Sequence, residues 1–255
     1  MSWNPDQYLK FAGPRLQPAV DLLARVPCAN PRIVYDLGCG AGNVTQLLAV
    51  RWPQAVITGV DDSAEMLAKA KAAVPGAHWV QLSLASWQAS EPADLIYSNA
   101  ALHWLPDHRR LFPALLAQLA TGGVLAVQMP RNFGAPSHTL IGETVRGGPW
   151  RSLLEPLLAP SPVAEPAFYH EILSSQAARL DIWETEYLQV LAGADPVKEW
   201  TKGTWLRQFL DALPPSQRPV FEDDYAARLR AAYPQLADGN TLFPFRRLFL
   251  LAVAR

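Results

Sequence analysis

The segment Val34-Tyr35-Asp36-Leu37-Gly38-Cys39-Gly40-Ala41-Gly42-Asn43 limits this chain more than any other, because an apolar strand pattern runs into three glycines spaced two apart and then into a helical pattern. Glycines at a strand-to-helix turn accept left-handed backbone angles. Lacking side chains, they also let a ligand approach the main chain and the positive end of the following helix. This is the plan of a nucleotide-binding turn. A dinucleotide fingerprint, G-x-G-x-x-G, would need glycine where Asn43 stands, which disfavours a nicotinamide-dependent oxidoreductase.

The pattern that follows the turn is a repeated alternation of helix and strand. Val44, Leu47 and Leu48 keep helical spacing, and Ala55-Val56-Ile57-Thr58-Gly59-Val60 reads as a buried strand ending in Asp61-Asp62. Ser63 can cap a helix carrying Met66, Leu67, Ala70 and Val74, and Trp79-Val80-Gln81-Leu82 supplies a third strand. Ala93 to Ser98 is a fourth strand, Arg109 to Leu119 an amphipathic helix, and Val124 to Met129 a fifth strand after a Gly122-Gly123 turn. Such alternation predicts a parallel sheet with helices on both faces and a ligand at the carboxyl ends of its strands.

The texture changes at Pro130. Pro136, Pro149, Pro156, Pro160, Pro162 and Pro166 follow, so the stretch is expected to wander over the surface or form short helices. Leu180 to Leu188 alternates like a strand and Leu248 to Val253 closes the chain as another, together a terminal antiparallel pair. Between them one helix begins at Asp195-Pro196, a cap followed by proline in the first turn, and carries Trp200, Trp205 and Phe209, and a second repeats Phe221, Tyr225 and Leu229. The expected architecture is therefore α/β, a doubly wound, mostly parallel, seven-stranded Rossmann-like sheet. Residues 1–130 form the core of this single domain, 131–178 and 192–242 a helical cap, and 179–191 and 243–255 the last strands.

Composition excludes several classes. With 22 basic and 23 acidic residues in 255, the net charge of −1 offers no general attraction for nucleic acid or an anionic membrane. No apolar run reaches the roughly 18 residues that span a bilayer, and Met1 to Asp6 lacks the plan of a secretory signal. A cytoplasmic protein with two free thiols, Cys28 and Cys39, is expected, and no metal site is read. A homo-oligomer is left open.

Asp61 stands at the end of a buried strand, roughly 20 residues beyond the turn, where a carboxylate can accept hydrogen bonds from both ribose hydroxyls of an adenosine. The plain alternative is a helix N-terminal aspartate. Asp36 is expected to orient the turn or to meet an ammonium group.

The D-x-G-x-G-x-G run looks like the first motif of class I S-adenosylmethionine-dependent methyltransferases. Along nearly its whole length the chain also resembles the trans-aconitate 2-methyltransferase family. Matching stretches include Tyr8-Leu9-Lys10-Phe11, Arg51-Trp52-Pro53, Ile57-Thr58-Gly59-Val60-Asp61, Trp104-Leu105-Pro106-Asp107-His108, Gln128-Met129-Pro130, Ser137-His138, Asp181-Ile182-Trp183 and Arg247-Leu248-Phe249. The glycines identify only the superfamily; the stretches outside the turn speak for the family. The resemblance implies S-adenosylmethionine as cofactor, held by Arg15, Asp36, Gly38, Gly40, Asn43, Asp61, Asp62, Met66, Ser83, Leu84, Asn99 and Ala101. Ser83 departs from the usual aspartate after the third strand, which weakens the expected hold on adenine. Asn99 is not followed by Pro-Pro-aromatic, which argues against modification of exocyclic amines in nucleic acid.

The implied reaction esterifies a carboxylate of a small polyanionic acid, trans-aconitate above all. An ionised carboxylate needs no general base, so no catalytic residue is expected, and positioning carries the rate. His103, Trp104, Arg131, His138, Tyr169 and Arg247 are the expected substrate-binding residues, with Arg146 and Arg151 as further candidate donors. A lone basic residue is by default a solvated surface charge, and the many tryptophans are by default core. Two readings stand beside this one: a different small acceptor, such as a carrier-bound malonyl group or a quinone precursor, and a non-catalytic cofactor-binding protein.

Overall fold

Strand β1 (Ile33–Leu37), apolar but for Asp36, is buried along nearly its whole length, so it needs a neighbour on each side. The computed structural model, which describes residues 12–255, supplies both. After helix α1 (Ala12–Arg25) and β1 come α2 (Asn43–Arg51), β2 (Val56–Asp61), α3 (Ala64–Ala73), β3 (His78–Gln81) and β4 (Ala93–Asn99). β2 and β4 flank β1 in parallel, with Asp36 opposite Gly59 on one side and Tyr97 on the other. A short 3-10 turn (Leu102–Trp104), α4 (His108–Leu116) and β5 (Leu119–Pro130) complete the alternation.

The chain then forms α5 (Pro136–Gly147), α6 (Arg151–Leu154), α7 (Pro166–Leu173), β6 (Ala177–Ala192), α8 (Pro196–Lys202), α9 (Arg207–Ala212), α10 (Arg218–Ala232) and β7 (Asn240–Ala254). The sheet has seven strands in the order β3-β2-β1-β4-β5-β7-β6, and β7 is antiparallel to β5. This is the doubly wound, mostly parallel architecture read from the sequence. Strand order reverses beside β1, whose carboxyl end carries the glycine turn, the usual place for a ligand in such a sheet.

Several local expectations change. Leu119 opens β5 rather than closing α4, because the Gly122-Gly123 pair is not a turn before the strand but an irregularity inside it. Register shifts from Ala93↔Leu119 to Leu95↔Val124 across it. Pro136 and Pro166 sit in the first turns of α5 and α7, where the missing N–H is no loss, so a 12-residue helix forms in a stretch expected to wander or to hold only short helices. Asp195 does not cap α8; its carboxylate takes Arg230 Nη1 at 2.6 Å.

The chain divides into two compact units. One holds Arg15–Pro130, Pro162–Thr185 and Arg247–Arg255; the other includes Arg131–Ser161 and Glu186–Arg246. α7, expected in the cap, thus belongs with the sheet. In the sheet unit Val34, Val60, Leu95, Ile96 and Leu125 are fully buried, and the Tyr97 hydroxyl donates to the Ala19 carbonyl at 2.6 Å, fastening α1 to β4. In the other unit Phe221, Tyr225 and Leu229 present one face of α10 to a core with Trp150, Trp200 and Phe243. Burial of each such side chain contributes about 1.5–3 kcal/mol. Among the described residues, no helix is long and apolar enough to cross a membrane.

Candidate active site

The turn after β1 is pulled towards β2: the Gly38 and Cys39 amides both donate to the Val60 carbonyl, at 2.8 and 3.1 Å. Gly38 has φ 74° and Gly40 φ 53°, left-handed values that favour glycine at both. Their surroundings differ. A Cβ on Gly38 would meet the Ala101 Cβ at 2.1 Å, whereas one on Gly40 would have nothing within 4 Å. Gly38 is a packing glycine and Gly40 presents open main chain.

Asp61 closes this turn from β2. Its Oδ2 accepts the Gly40 amide at 2.9 Å and its Oδ1 accepts the Ser63 amide at 3.0 Å. Each oxygen retains a second lone pair, and the side chain is only half-buried, so two further hydroxyl donors can be accommodated. Ser63, not Asp62, caps α3, accepting the Met66 amide at 3.3 Å. Asp62 is exposed, and its main-chain carbonyl takes Gln81 Nε2 at 3.2 Å.

Asp36 is buried at the end of β1, and Thr45 Oγ1 donates to its Oδ2 at 2.6 Å. Burial pushes its carboxyl up from 3.8 to about 7. Thr45, on the first turn of α2, was not singled out from the sequence; a threonine in a helical pattern gives no sign that its hydroxyl serves a buried acid. Asn43 opens α2 and is exposed, Met66 is buried on α3, and Leu84 is half-buried with Cδ1 3.6 Å from the Cβ position of Gly38. Ser83 is exposed, its Oγ accepting the Ala85 amide at 3.4 Å. Arg15 stands at the start of α1 and its side chain lies outside the described residues, as do Tyr8 to Phe11.

The end of β4 forms the other side of the site. Asn99 Oδ1 is buried with no hydrogen-bond partner. The next residue, Ala100, has φ 54°, an arrangement that costs an alanine about 1–2 kcal/mol and turns the chain so that Ala101 lies against Gly38. His103 follows, 5% exposed, its Nδ1 also unpartnered; burial, then the Arg247 guanidinium and His108, push its imidazole down to about 3. Trp104 is half-exposed with its ring 4.6 Å from that of His103. Arg247 is 4% exposed on β7, opposite Pro130.

Tyr169 is fully buried in the core beside Phe112, its hydroxyl 2.7 Å from His108 Nδ1 and within reach of the Ala164 amide at 3.3 Å, so it presents no surface to a ligand. Arg131 and His138 belong to the other unit. His138 Nδ1 is 3.0 Å from Ser137 Oγ, its ring lies 5.0 Å from Phe133, and burial pushes it down to about 4. It lines a cavity of about 230 Å³ with Phe133, Ile141, Arg146, Trp205 and Phe209. Arg146 and Arg151 are exposed beside Glu155, at 3.8 and 2.9 Å, and behave as solvated charges.

Residues 34–123 match the family model described as a methyltransferase domain. A protein of Azoarcus sp. (strain BH72) named Trans-aconitate 2-methyltransferase is 49% identical over 252 residues, covering 99% of this chain and 99% of its own. The chain belongs to the trans-aconitate 2-methyltransferase family. A family member of the same name from Rhizobium etli is 44% identical over 254 residues, 99% of each chain. The crystal structure of the YcgJ protein from Bacillus subtilis, 14% identical, covers 94% of this chain and 99% of its own with a TM-score of 0.60, a likeness of fold.

The site of this methyltransferase fits S-adenosylmethionine on its own geometry. Gly40 leaves the main chain open to a ligand, Asp61 offers carboxylate lone pairs beside it, and Asn99 Oδ1 is a buried acceptor awaiting a donor. Among the described residues, no group of His, Cys, Asp and Glu could hold a metal ion.

Proposed function

We propose that this chain transfers the methyl group of S-adenosylmethionine to a carboxylate of a small polyanionic acid, trans-aconitate in the first instance, giving the monomethyl ester and S-adenosylhomocysteine. The observation that carries the acceptor is the near end-to-end 49% identity to the Azoarcus relative of that name. The buried Arg247 and His103 are consistent with it, because an acid with several charges needs donors for the carboxylates that do not react.

Bound S-adenosylmethionine supplies an electrophilic methyl on a sulfonium. The chain's residues supply position. Asp61 and the Gly38–Gly42 turn hold the adenosine side, and Asn99 with Ala101 borders the methionine side. Arg247 neutralises the acceptor, and His103, uncharged at neutral pH, offers hydrogen bonds without drawing the reacting oxygen into an ion pair. A carboxylate is ionised under these conditions and needs no proton removed, so alignment of oxygen, methyl carbon and sulfur is the main contribution, worth several kcal/mol. Both cysteines are free, which suits the reducing cytoplasm proposed as its location, and the net charge of −1 suits a small-molecule rather than nucleic-acid acceptor.

The test is methyl transfer from isotopically labelled S-adenosylmethionine to trans-aconitate, with cis-aconitate, citrate and isocitrate for comparison. Base-labile label selectively on trans-aconitate is the expected result. Cofactor binding with no label on any acid would overturn the acceptor and leave the fold reading intact.

A further inference from the structure

We infer that the side-chain amide of Gln128 recognises a carboxylate of the acceptor, on the sheet face it shares with Asn99 and Arg247. This deepens the acceptor reading above and rests on it for the class of ligand.

Gln128 interrupts the apolar run Val124-Leu125-Ala126-Val127 of β5. It is 0% exposed, and neither its Oε1 nor its Nε2 has a hydrogen-bond partner. A buried amide stripped of water and left unbonded is destabilising, so its presence calls for a partner in another state of the protein. Packing alone would be served better by methionine or leucine, which fill the same volume without the desolvation cost.

Register places the amide. Gln128 pairs with Asn99 of β4 and with Phe249 of β7, while Pro130 pairs with Arg247. Side chains alternate along a strand, so Asn99, Gln128, Phe249 and, two residues on, Arg247 stand on one face. Phe249 forms an apolar wall there, stacked at 5.0 Å and 7° on Trp183. Asn99 Oδ1 and, just beyond the end of the same strand, His103 Nδ1 are likewise buried without a hydrogen-bond partner. Orphaned polar groups therefore gather at the carboxyl ends of β4 and β5 around a buried cation, where sheets of this type take their ligands.

The chemistry of the set selects an anion with flat oxygen pairs. Gln128 Nε2 and the guanidinium donate to carboxylate oxygens, and Oε1 accepts from a water or hydroxyl entering with the acid. An amide adds a directed donor without a second buried charge. Gln128 is thus a positioning and specificity residue; no bond is made or broken on it.

The test is calorimetric titration of trans-aconitate into protein loaded with S-adenosylhomocysteine, for the parent, Gln128→Met and Gln128→Asn, with thermal unfolding of each without ligand. Both variants are expected to bind trans-aconitate about tenfold or more weakly, a loss of roughly 1.4 kcal/mol or more, with S-adenosylhomocysteine affinity within about twofold of the parent. Gln128→Met is also expected to unfold at the same or a higher temperature, since the unbonded amide is gone. An amide bonded within the fold would instead make Gln128→Met less stable, and that result, unchanged acid affinity, or an equal loss for both ligands overturns the inference. Should Gln128→Met not fold, its conclusion on stability is negative and the inference fails. A parent that binds trans-aconitate without methylating it sinks the proposed reaction and not the role of Gln128; a parent that does not bind it sinks the latter.

Discussion

Gly38 and Ala101 meet so closely that a Cβ on Gly38 would fall 2.1 Å from that of Ala101, which locks the turn after β1 to the end of β4. Gly38→Ala therefore combines a left-handed penalty of about 1–2 kcal/mol with overpacking of about 1–3 kcal/mol. Gly40→Ala meets no neighbour and incurs only the first. Urea unfolding should rank Gly38→Ala well below Gly40→Ala in stability, while both lose cofactor affinity in calorimetry. Equal stabilities would show that the contact with Ala101 relaxes at no cost.

Asp61→Asn preserves shape and removes charge. The carboxylate accepts the Gly40 and Ser63 amides and is proposed to accept two ribose hydroxyls as well. Each bond to a charged group is worth about 1.5–3 kcal/mol, so S-adenosylhomocysteine should bind at least about tenfold more weakly. Affinity equal to the parent's would confine Asp61 to holding the turn.

The sheet, the glycine turn and the place of Asp61 at the end of β2 were legible because each has a local cause: continuous apolar runs, glycine at left-handed positions, and an acid ending a buried strand. What was not legible depends on distant partners. β6 extends to 16 residues and β7 to 15, well past their alternating or apolar centres, because pairing with a neighbour rather than side-chain pattern sets strand length. Tyr169 is a candidate donor to the substrate by its side chain alone, yet His108, 61 positions away in sequence, draws its hydroxyl into the core. Gln128 was read only as part of a family-like stretch, since nothing local distinguishes a functional amide from a polar residue tolerated in a strand. Asp195 had the form of a helix cap and lost that role to Arg230.

Acid and base limbs of stability should oppose each other. Asp36 rises from 3.8 to about 7, so between these values the folded chain keeps a proton that the unfolded chain has lost. Its contribution is full below pH 3.8, falls as pH rises, and is gone above about 7. His103 and His138 are lowered from 6.5 to about 3 and about 4, so the unfolded chain binds the extra protons and stability falls as pH drops below 6.5. Urea midpoints across pH 4–8 should lose their decline towards neutrality in Asp36→Asn and part of their acid-side decline in His103→Asn. A profile for Asp36→Asn parallel to that of the parent would show that the carboxyl titrates normally.

Ser83→Asp supplies the acid that the family resemblance implies after the third strand. Ser83 is exposed and its hydroxyl accepts only a long contact from Ala85, so the change disturbs little. A charge-assisted bond is roughly twice as strong as a neutral one. The variant should bind S-adenosylhomocysteine about threefold to tenfold more tightly, about 1 kcal/mol. Calorimetry showing no gain, or a loss, would mean that adenine is not read from this position.

Cys39 lies within the turn, buried, with its Sγ 3.0 Å from the Cβ position of Gly59, and burial raises its thiol far above the ordinary value. While the turn is closed the sulfur is a protonated, shielded thiol that an alkylating reagent cannot attack. Cys28 is half-buried and more accessible, so the chain carries a fast and a slow site for the same reagent. Alkylation of Cys39 is therefore expected to be the slower of the two. Added S-adenosylhomocysteine is expected to slow it further, so the thiol inside the turn reports occupancy of the proposed cofactor site by chemical protection.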